Sequence, residues 1–575
     1  MIELPDRWIT DSSPSGRFPH YTRANADEIA PDPVSPLGWT LLYQGALLEG
    51  SVNSWVQFGV FDEGEVDPND KFGCFGGYLY NALSITWLLG VRMGAAPDVV
   101  DHMFYGDHPD GPRYEPHPDD FSPRHTRQLR EKADWVIRQR GEIAATATMR
   151  QATDVVRGDR PDFDTIDDSA LIQYVDGLLP LVSAAFTGHG TVSLGTSVAV
   201  GRLRDLLAEQ DLTHLTMPLM SGLGGVESAG PTLAMWDLAT SATADGLVDA
   251  VEAGEDGLAS LRKGGPAAKA WTDRFDGFIA QYGARGQCEY DLITPSWETK
   301  PSIALGAIAS MARQGIDRSS ALEQSRARAV RDAAMSEARS ALSGSPTRLV
   351  EFEQVLTAAT VFMTAREAAK FPFVRMTNEV RVGIVALGRR LRARGAIEEP
   401  HDVAILLRSE LGEAMDSPKL AAEIIAERKP KFEALFALDP PYIVTNTAPP
   451  LSQWRRRRGG QDDQAGPGTV LSGIAASPGT VTGRVRILKS AGDSHLLERG
   501  DVLVAPTTDA GWTPLLMVAG ATVIEVGAIG SHGAIVSREL GIPSVVNCPR
   551  ACSLLADGTK VEVNGSAGTV TVLAD

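Results

Sequence analysis

Apolar positions recur at helical spacing through much of residues 165–440. The clearest runs are SALIQYVDGLLPLVSAAF from Ser169 and the alanine- and arginine-rich stretch from Ala321 to Leu342, with DVVDHMFYG as a further pattern nearer the N-terminus. Residues 1–80 are dense in turn residues and predict irregular structure or a short sheet. From residue 469 the texture changes. TVTGRVRILKS, GDVLVAP, ATVIEVG, PSVVNC, KVEVNG and TVTVL read as short strands between glycine, aspartate or proline turns, with TPLLMVAG and HGAIVSREL as interleaved helices. The pattern predicts a multidomain α+β chain: a large helix-rich domain over 1–445 and a C-terminal β/β/α domain over 469–575.

Between them, NTAPPLSQWRRRRGGQDDQAGPG over 446–468 has neither period and reads as a flexible linker. As a coil its ends would lie ~26 Å apart, and ~75 Å at full extension, enough for a tethered domain to travel. Its Arg455–Arg458 run reads as part of a solvated segment.

Length and composition fit several ordinary folded domains: 575 residues, 43% apolar and 22% charged. The formal charge of -19 disfavours nucleic acid and anionic lipid as partners. Cys74, Cys288, Cys548 and Cys552 lack zinc-ribbon spacing and read as reduced structural thiols. MIELPDRWITDSS has no signal-peptide pattern, and the longest apolar runs are broken by Arg92 or Glu525, so a cytoplasmic location is expected.

The sharpest chemical feature is GAIGSHGAIVSRELGIPSVV, Gly527 to Val546. His532 follows Ser531 at an apparent helix start, with Gly530, Gly533 and Ala534 expected to leave the imidazole accessible. Ser531 can cap the helix, and the positive helix end disfavours imidazolium and favours an attached phosphoryl group. A neutral imidazole can take a phosphoryl group from a nucleotide and pass it on.

This segment resembles the phosphohistidine swivelling domain of the phosphoenolpyruvate-utilising enzymes, whose signature reads more like TExGGxxSHAAIVARExGIPAV. LSGIAASPGTVTGRVRIL and GDVLVAPTTDAGWTPLL extend the likeness over most of 469–575. The resemblance implies that His532 is phosphorylated, with Gly530, Ser531, Gly533 and Thr513 around it. Ile524, Ala528 and Gly533 depart from the usual threonine, glycine and alanine.

YTRANADEIAPDPVSPLGW, FGGYLYN, GLGGVESAGPTLAMWDLA, YGARGQCEYDLITPSWETKP and REAAKFPFVRMTNEVR resemble, in order, the acceptor domain of rifampicin phosphotransferases and of split enzymes such as phenylphosphate synthase. Ala284 stands where many relatives place histidine before Arg285. Arg366 and Lys370, four apart on a helix, could grip phosphoryl oxygens, and the resemblance places them where phosphohistidine meets acceptor. Arg285, Glu289 and Asp291 could orient an acceptor hydroxyl or form a buried salt bridge. Asn25 and Glu28 are weaker substrate-binding candidates. Trp39, Trp55, Phe72, Phe75, Tyr78 and Tyr80 could line an apolar pocket or simply form core.

No GxxxxGK[ST] loop or ATP-grasp pattern occurs in the sequence. The resemblance therefore implies a separate ATP-grasp subunit that supplies ATP and Mg²⁺ in trans. No tightly bound cofactor, metal ligand set, nucleic acid or membrane partner is expected for this chain. The expected function is dikinase-like phosphotransfer through His532 to a hydroxyl of a small organic acceptor. The alternative is a non-catalytic phosphocarrier or regulatory subunit.

Overall fold

The computed structural model describes residues 3–96, 111–224, 230–313, 320–457, 464–489, 496–528 and 530–574. The expected helical pattern DVVDHMFYG, 98–106, lies outside the described residues. The chain divides into two compact units: Met1–Val198, Cys288–Thr294 and Ala369–Arg458 form one, and Ala199–Gln287, Pro295–Ala368 and Gly459–Asp575 the other. The helix-rich region anticipated as one domain over 1–445 is thus shared between both.

In the first unit, helices surround a four-stranded sheet ordered Phe72–Phe75, Tyr78–Ala82, His20–Thr22, Ile443–Thr445. The hairpin turns on Gly76 and Gly77, φ 59° and 82°, which L side chains rarely adopt. A side chain at Gly76 would also collide with the Trp454 ring. Phe75, Tyr78 and Tyr80 are core residues. Phe75 packs edge-on against Tyr21 and Tyr80, and the Tyr78 and Tyr80 hydroxyls donate to the carbonyls of Leu435 and Pro441 at 2.8 and 2.7 Å. Buried Arg23 pairs with Asp27, donates to the Ala30 carbonyl at 3.0 Å and lies over Tyr78.

The stretch read as a free linker is largely structured on its N-terminal side. Leu451 and Trp454 are buried, Arg455–Arg456 pairs with Leu438–Asp439, and Arg457 donates to the Leu438 carbonyl at 3.0 Å. Past 458–463, which lie outside the described residues, the Ala465 N–H donates to the Leu554 carbonyl. Two buried apolar side chains, Leu451 and Trp454, pin a segment whose other residues, 452–453 and 455–457, are exposed.

The second unit holds an eight-stranded sheet. Thr480–Ile487, Val502–Ala505, Ala521–Ile524 and Ser544–Val546 run parallel at its centre. Lys560–Asn564, Thr569–Val572 and Val470–Ser472 extend it antiparallel on one side, and Ile474–Ser477 on the other. Val502–Ala505, Ala521–Ile524 and Ser544–Val546 are buried at every position because both faces are covered. Val502, Val504, Ala521 and Val523 join one core with Leu555 and Val561. The alternate residues Leu503 and Ala505 join a second core with Trp512, Leu516, Val536 and Leu540. That second core is continuous with Trp271, Phe275, Trp297 and Ile308, from the helical region before residue 314. The described helix Asp168–Ala208 is long and apolar enough to cross a membrane, and 39% of its most apolar window is buried.

Lys71, 2% exposed, has its Nζ 4.3 Å from the Trp55 ring centre and 3.1 Å from Asn81 Oδ1; among the described residues no carboxylate pairs with it. Burial pushes its pKa down to about 7 from 10.5. Between those values the unfolded chain binds the extra proton, so this group makes stability rise with pH. Lys71→Met is expected to stabilise the protein by a few kcal/mol, roughly, below neutral pH, with the gain vanishing as pH nears the unfolded value. Urea unfolding at about pH 6.5 and about pH 9.5 checks this; an equal gain at both would refute it.

Candidate functional site

The strand Ala521–Ile524 leads through 525–531 into the helix His532–Glu539, all eight of whose residues are buried. Ser531 has the extended backbone of an N-cap, φ -67° and ψ 158°, but its hydroxyl makes no capping bond. That hydroxyl is buried with no partner among the described residues. His532 is 7% exposed, which corrects the expectation of an open imidazole. Its small neighbours do not leave space, because other groups fill it. Arg366 Nη1 donates to the Gly530 carbonyl at 2.5 Å, and a side chain at Gly530 would collide with that nitrogen.

Gly533 is held equally closely, since a methyl there would strike Thr508 Oγ1 and Ile524 Cδ1. Two departures from the family signature are therefore one packing fact. Isoleucine at 524 takes the volume that alanine at 533 would fill. Thr513 opens the neighbouring helix Thr513–Val518.

At the other end of the His532 helix, Arg538 is 2% exposed and donates to the Ala476 carbonyl at 3.0 Å; burial pushes its pKa down to about 10, so it stays charged at neutral pH. Glu539 accepts from the Leu223 N–H at 3.2 Å, and burial raises its pKa. Glu525 accepts from the Cys552 N–H at 2.7 Å, and burial raises its pKa also. Burial likewise pushes the Cys548 thiol up to about 11. All four cysteines are free. Arg538 and Glu539 escaped the sequence reading; a charged pair inside an otherwise small and apolar helical pattern was the available signal.

In the first unit, Lys370 Nζ lies 3.8 Å from a carboxylate oxygen of Glu289, which is 5% exposed. Phe373, one turn from Lys370 on the helix Pro346–Ala393, packs against Phe186 and Tyr290 at 4.9 and 5.2 Å and lies parallel to His189 at 6.0 Å. Tyr43, inside the π-helix Gly38–Leu47, stacks on Trp39, and its buried hydroxyl has no partner among the described residues. Cys288 takes a left-handed φ of 45°, which places the following Glu289–Asp291 segment. Asp291 is occupied structurally: it accepts from the Ser35 N–H at 2.8 Å and the Leu292 N–H at 2.6 Å, while Arg381 donates to the Glu289 and Asp291 carbonyls.

The remaining candidates sit elsewhere. Asn25 begins the one-turn helix Ala26–Ile29 with φ 61° and no capping bond, and Glu28 lies on that turn. Arg285 is 1% exposed in the second unit, where its carbonyl accepts from the Trp297 N–H. Trp55 and Phe72 flank Lys71. Asp62, Glu65 and His125 present ligand atoms within 4.8 Å of one another, but Arg124 and Arg92 already pair with the two carboxylates.

Residues 187–367 match the rifampicin phosphotransferase fourth domain, and residues 497–568 match the mobile domain of PEP-utilising enzymes. The chain is 29% identical over 337 residues to a rifampicin phosphotransferase of Streptomyces sviceus, covering 56% of this chain and 36% of that protein. A rifampicin phosphotransferase of Bacillus cereus is 27% identical over 314 residues, covering 54% and 35%. The prodigiosin synthesizing transferase PigC of Serratia marcescens is 31% identical over 318 residues, covering 53% and 34%. The matched stretch is about a third of each relative's own length.

Gly533→Ala is expected to cost about 1–3 kcal/mol through overpacking, and Ile524→Thr to recover part of that loss when combined with it. A double-mutant cycle read by denaturant unfolding tests the pairing; additive effects would show that the two positions do not compensate.

Proposed function

We propose that this chain, similar in its matched regions to rifampicin phosphotransferases and to the mobile domain of PEP-utilising enzymes, is a phosphotransferase component that carries a phosphoryl group on His532. The observation that carries the reading is His532 at the start of a buried helix, beside an unpartnered Ser531 hydroxyl and an arginine bound to the Gly530 carbonyl. Helix N–H groups, a free hydroxyl and a guanidinium together suit phosphoryl oxygens. Arg366 would exchange the carbonyl for those oxygens.

The donor in this reading is an ATP-grasp subunit acting in trans with ATP and Mg²⁺. Dikinase-like chemistry balances as ATP, water and the acceptor alcohol giving AMP, inorganic phosphate and a phosphate ester. The P–O bond to AMP breaks as the imidazole nitrogen bonds the β-phosphorus, water cleaves the β–γ bond and releases inorganic phosphate, and the P–N bond breaks as the acceptor oxygen attacks. The acceptor's proton leaves with its oxygen's attack, and Glu289, paired with Lys370, is the carboxylate assigned to receive it. The aromatic group around Phe373 suits an apolar acceptor. His532 is buried as it stands, so charging requires the 469–575 domain to move, and the donor must cover the face it exposes.

Incubation with the candidate donor and ATP labelled at the β-phosphate should place acid-labile label on His532. Label persisting in His532→Ala would remove the carrier assignment. Lys370→Met is expected to leave loading intact and slow discharge to the acceptor by about a hundredfold, since the half-reactions use different stations. Equal loss in both halves would count against that placement. If label loads onto His532 but no hydroxyl compound ever discharges it, the phosphocarrier alternative holds instead.

A further inference from the structure

The loop Gly222–Gly224 has an unusual backbone. Gly222 and Gly224 take φ of 56° and 71°, on either side of Leu223. Consecutive N–H groups in such a loop turn toward one point and form an anion nest. Here the Leu223 N–H donates to the Glu539 carboxylate at 3.2 Å, and the Gly224 N–H dipole acts on the same carboxylate. Space as well as φ demands glycine at 222, where a side chain would strike the Ala327–Arg328 backbone.

One cation borders the nest and a second acts on its occupant. Arg328 Nη2 lies 3.6 Å from where a Gly224 side chain would begin, and Arg328 is exposed. Arg331 acts electrostatically on Glu539, donates Nη2 to Thr360 Oγ1 at 3.1 Å, and keeps a buried Nε with no partner among the described residues. One carboxylate therefore sits on a loop N–H, with the Arg328 guanidinium at the loop's edge and the Arg331 charge acting on it. Such a donor set exceeds what a single negative charge uses and matches a phosphate dianion.

We propose that the Gly222–Gly224 loop, with Arg328 and Arg331, is a phosphate-binding site for which Glu539 is the built-in occupant. Phosphate and the docked His532–Glu539 helix then exclude each other at this loop. By linkage, phosphate weakens docking by the same factor as docking weakens phosphate binding. Inorganic phosphate and a phosphate monoester share the recognised group. The inference does not depend on phosphorylation of His532.

The test is calorimetric titration of the full chain with inorganic phosphate, phenyl phosphate and, at matched ionic strength, sodium chloride. Glu539→Ala should bind phosphate about tenfold tighter than the native chain, because the competitor is gone. Arg331→Met in that background should lose most of the gain. In the native chain, phosphate should raise amide exchange across 532–540. The tighter of the two phosphate probes identifies the source, and either preference supports the site. Phosphate binding no tighter than chloride, or no tighter in Glu539→Ala than in the native chain, would overturn it. Glu539→Gln, nearly isosteric, must show the same order if the alanine variant does not fold. Repeating the titration in His532→Ala should change nothing, so failure of the carrier reading and of this site are separable.

Discussion

Complete burial of the helix His532–Glu539 governs the second unit, because a buried segment carrying histidine, arginine and glutamate must find a partner for each polar group. The C-terminal end does so: Arg538 takes the Ala476 carbonyl and Glu539 the Leu223 N–H. The N-terminal end does not, since the Ser531 hydroxyl is left over. An orphaned buried hydroxyl costs about 1–3 kcal/mol, which a newly attached phosphoryl oxygen would recover. The asymmetry along eight residues separates an anchoring end from a reactive one.

The apolar side of the same helix ties it to the rest of the unit. Val536 and Leu540 share a core with Trp271, Phe275 and Trp297, while Ala534 packs on the sheet with Ala476, Ile524 and Val546. Each square ångström of that face returned to water costs about 25 cal/mol. Movement of the domain is therefore an exchange of covers rather than release into solvent. The polar bond at Glu539 is the part of the interface that an ion can replace, whereas the Trp512 and Leu540 contacts need another apolar surface.

Local patterns revealed most of the C-terminal domain. Six predicted strands and two helices are present because a buried parallel sheet writes itself as short apolar runs, and Val502–Ala505 divides residue by residue between two cores. The sheet of the first unit was legible only as turn chemistry. Its closing pair, His20–Thr22 with Ile443–Thr445, joins segments at opposite ends of that unit's sequence, and such a register leaves no local trace. The 451–457 segment misled because two buried apolar residues are outnumbered by arginines. At the site, His532 stood out through its motif, but its burial did not, since Arg366 and Thr508 reach it from distant sequence. The bond from Leu223 to Glu539 spans 316 positions and was beyond any periodicity argument.

Charge sets the remaining limit. The chain carries -19 overall, yet the His532 helix has Arg366 at its start, and Arg538 and Glu539 at its end feel Arg366, Arg331 and Glu367. Arg538, depressed only to about 10, remains a cation, so the helix holds a fixed positive charge in its last turn. A phosphoryl group brings about -1.5 to -2 charges into this low-dielectric place and draws the guanidinium groups toward it. Arg366, bonded to the Gly530 carbonyl two residues before the histidine, is placed to turn toward it. Glu539 would then face a weaker positive field from the same arginines, and its hold on the Gly222–Gly224 loop would loosen. If His532 carries the phosphoryl group, its charge thereby favours release at the other end of the helix, without any change in the helix itself.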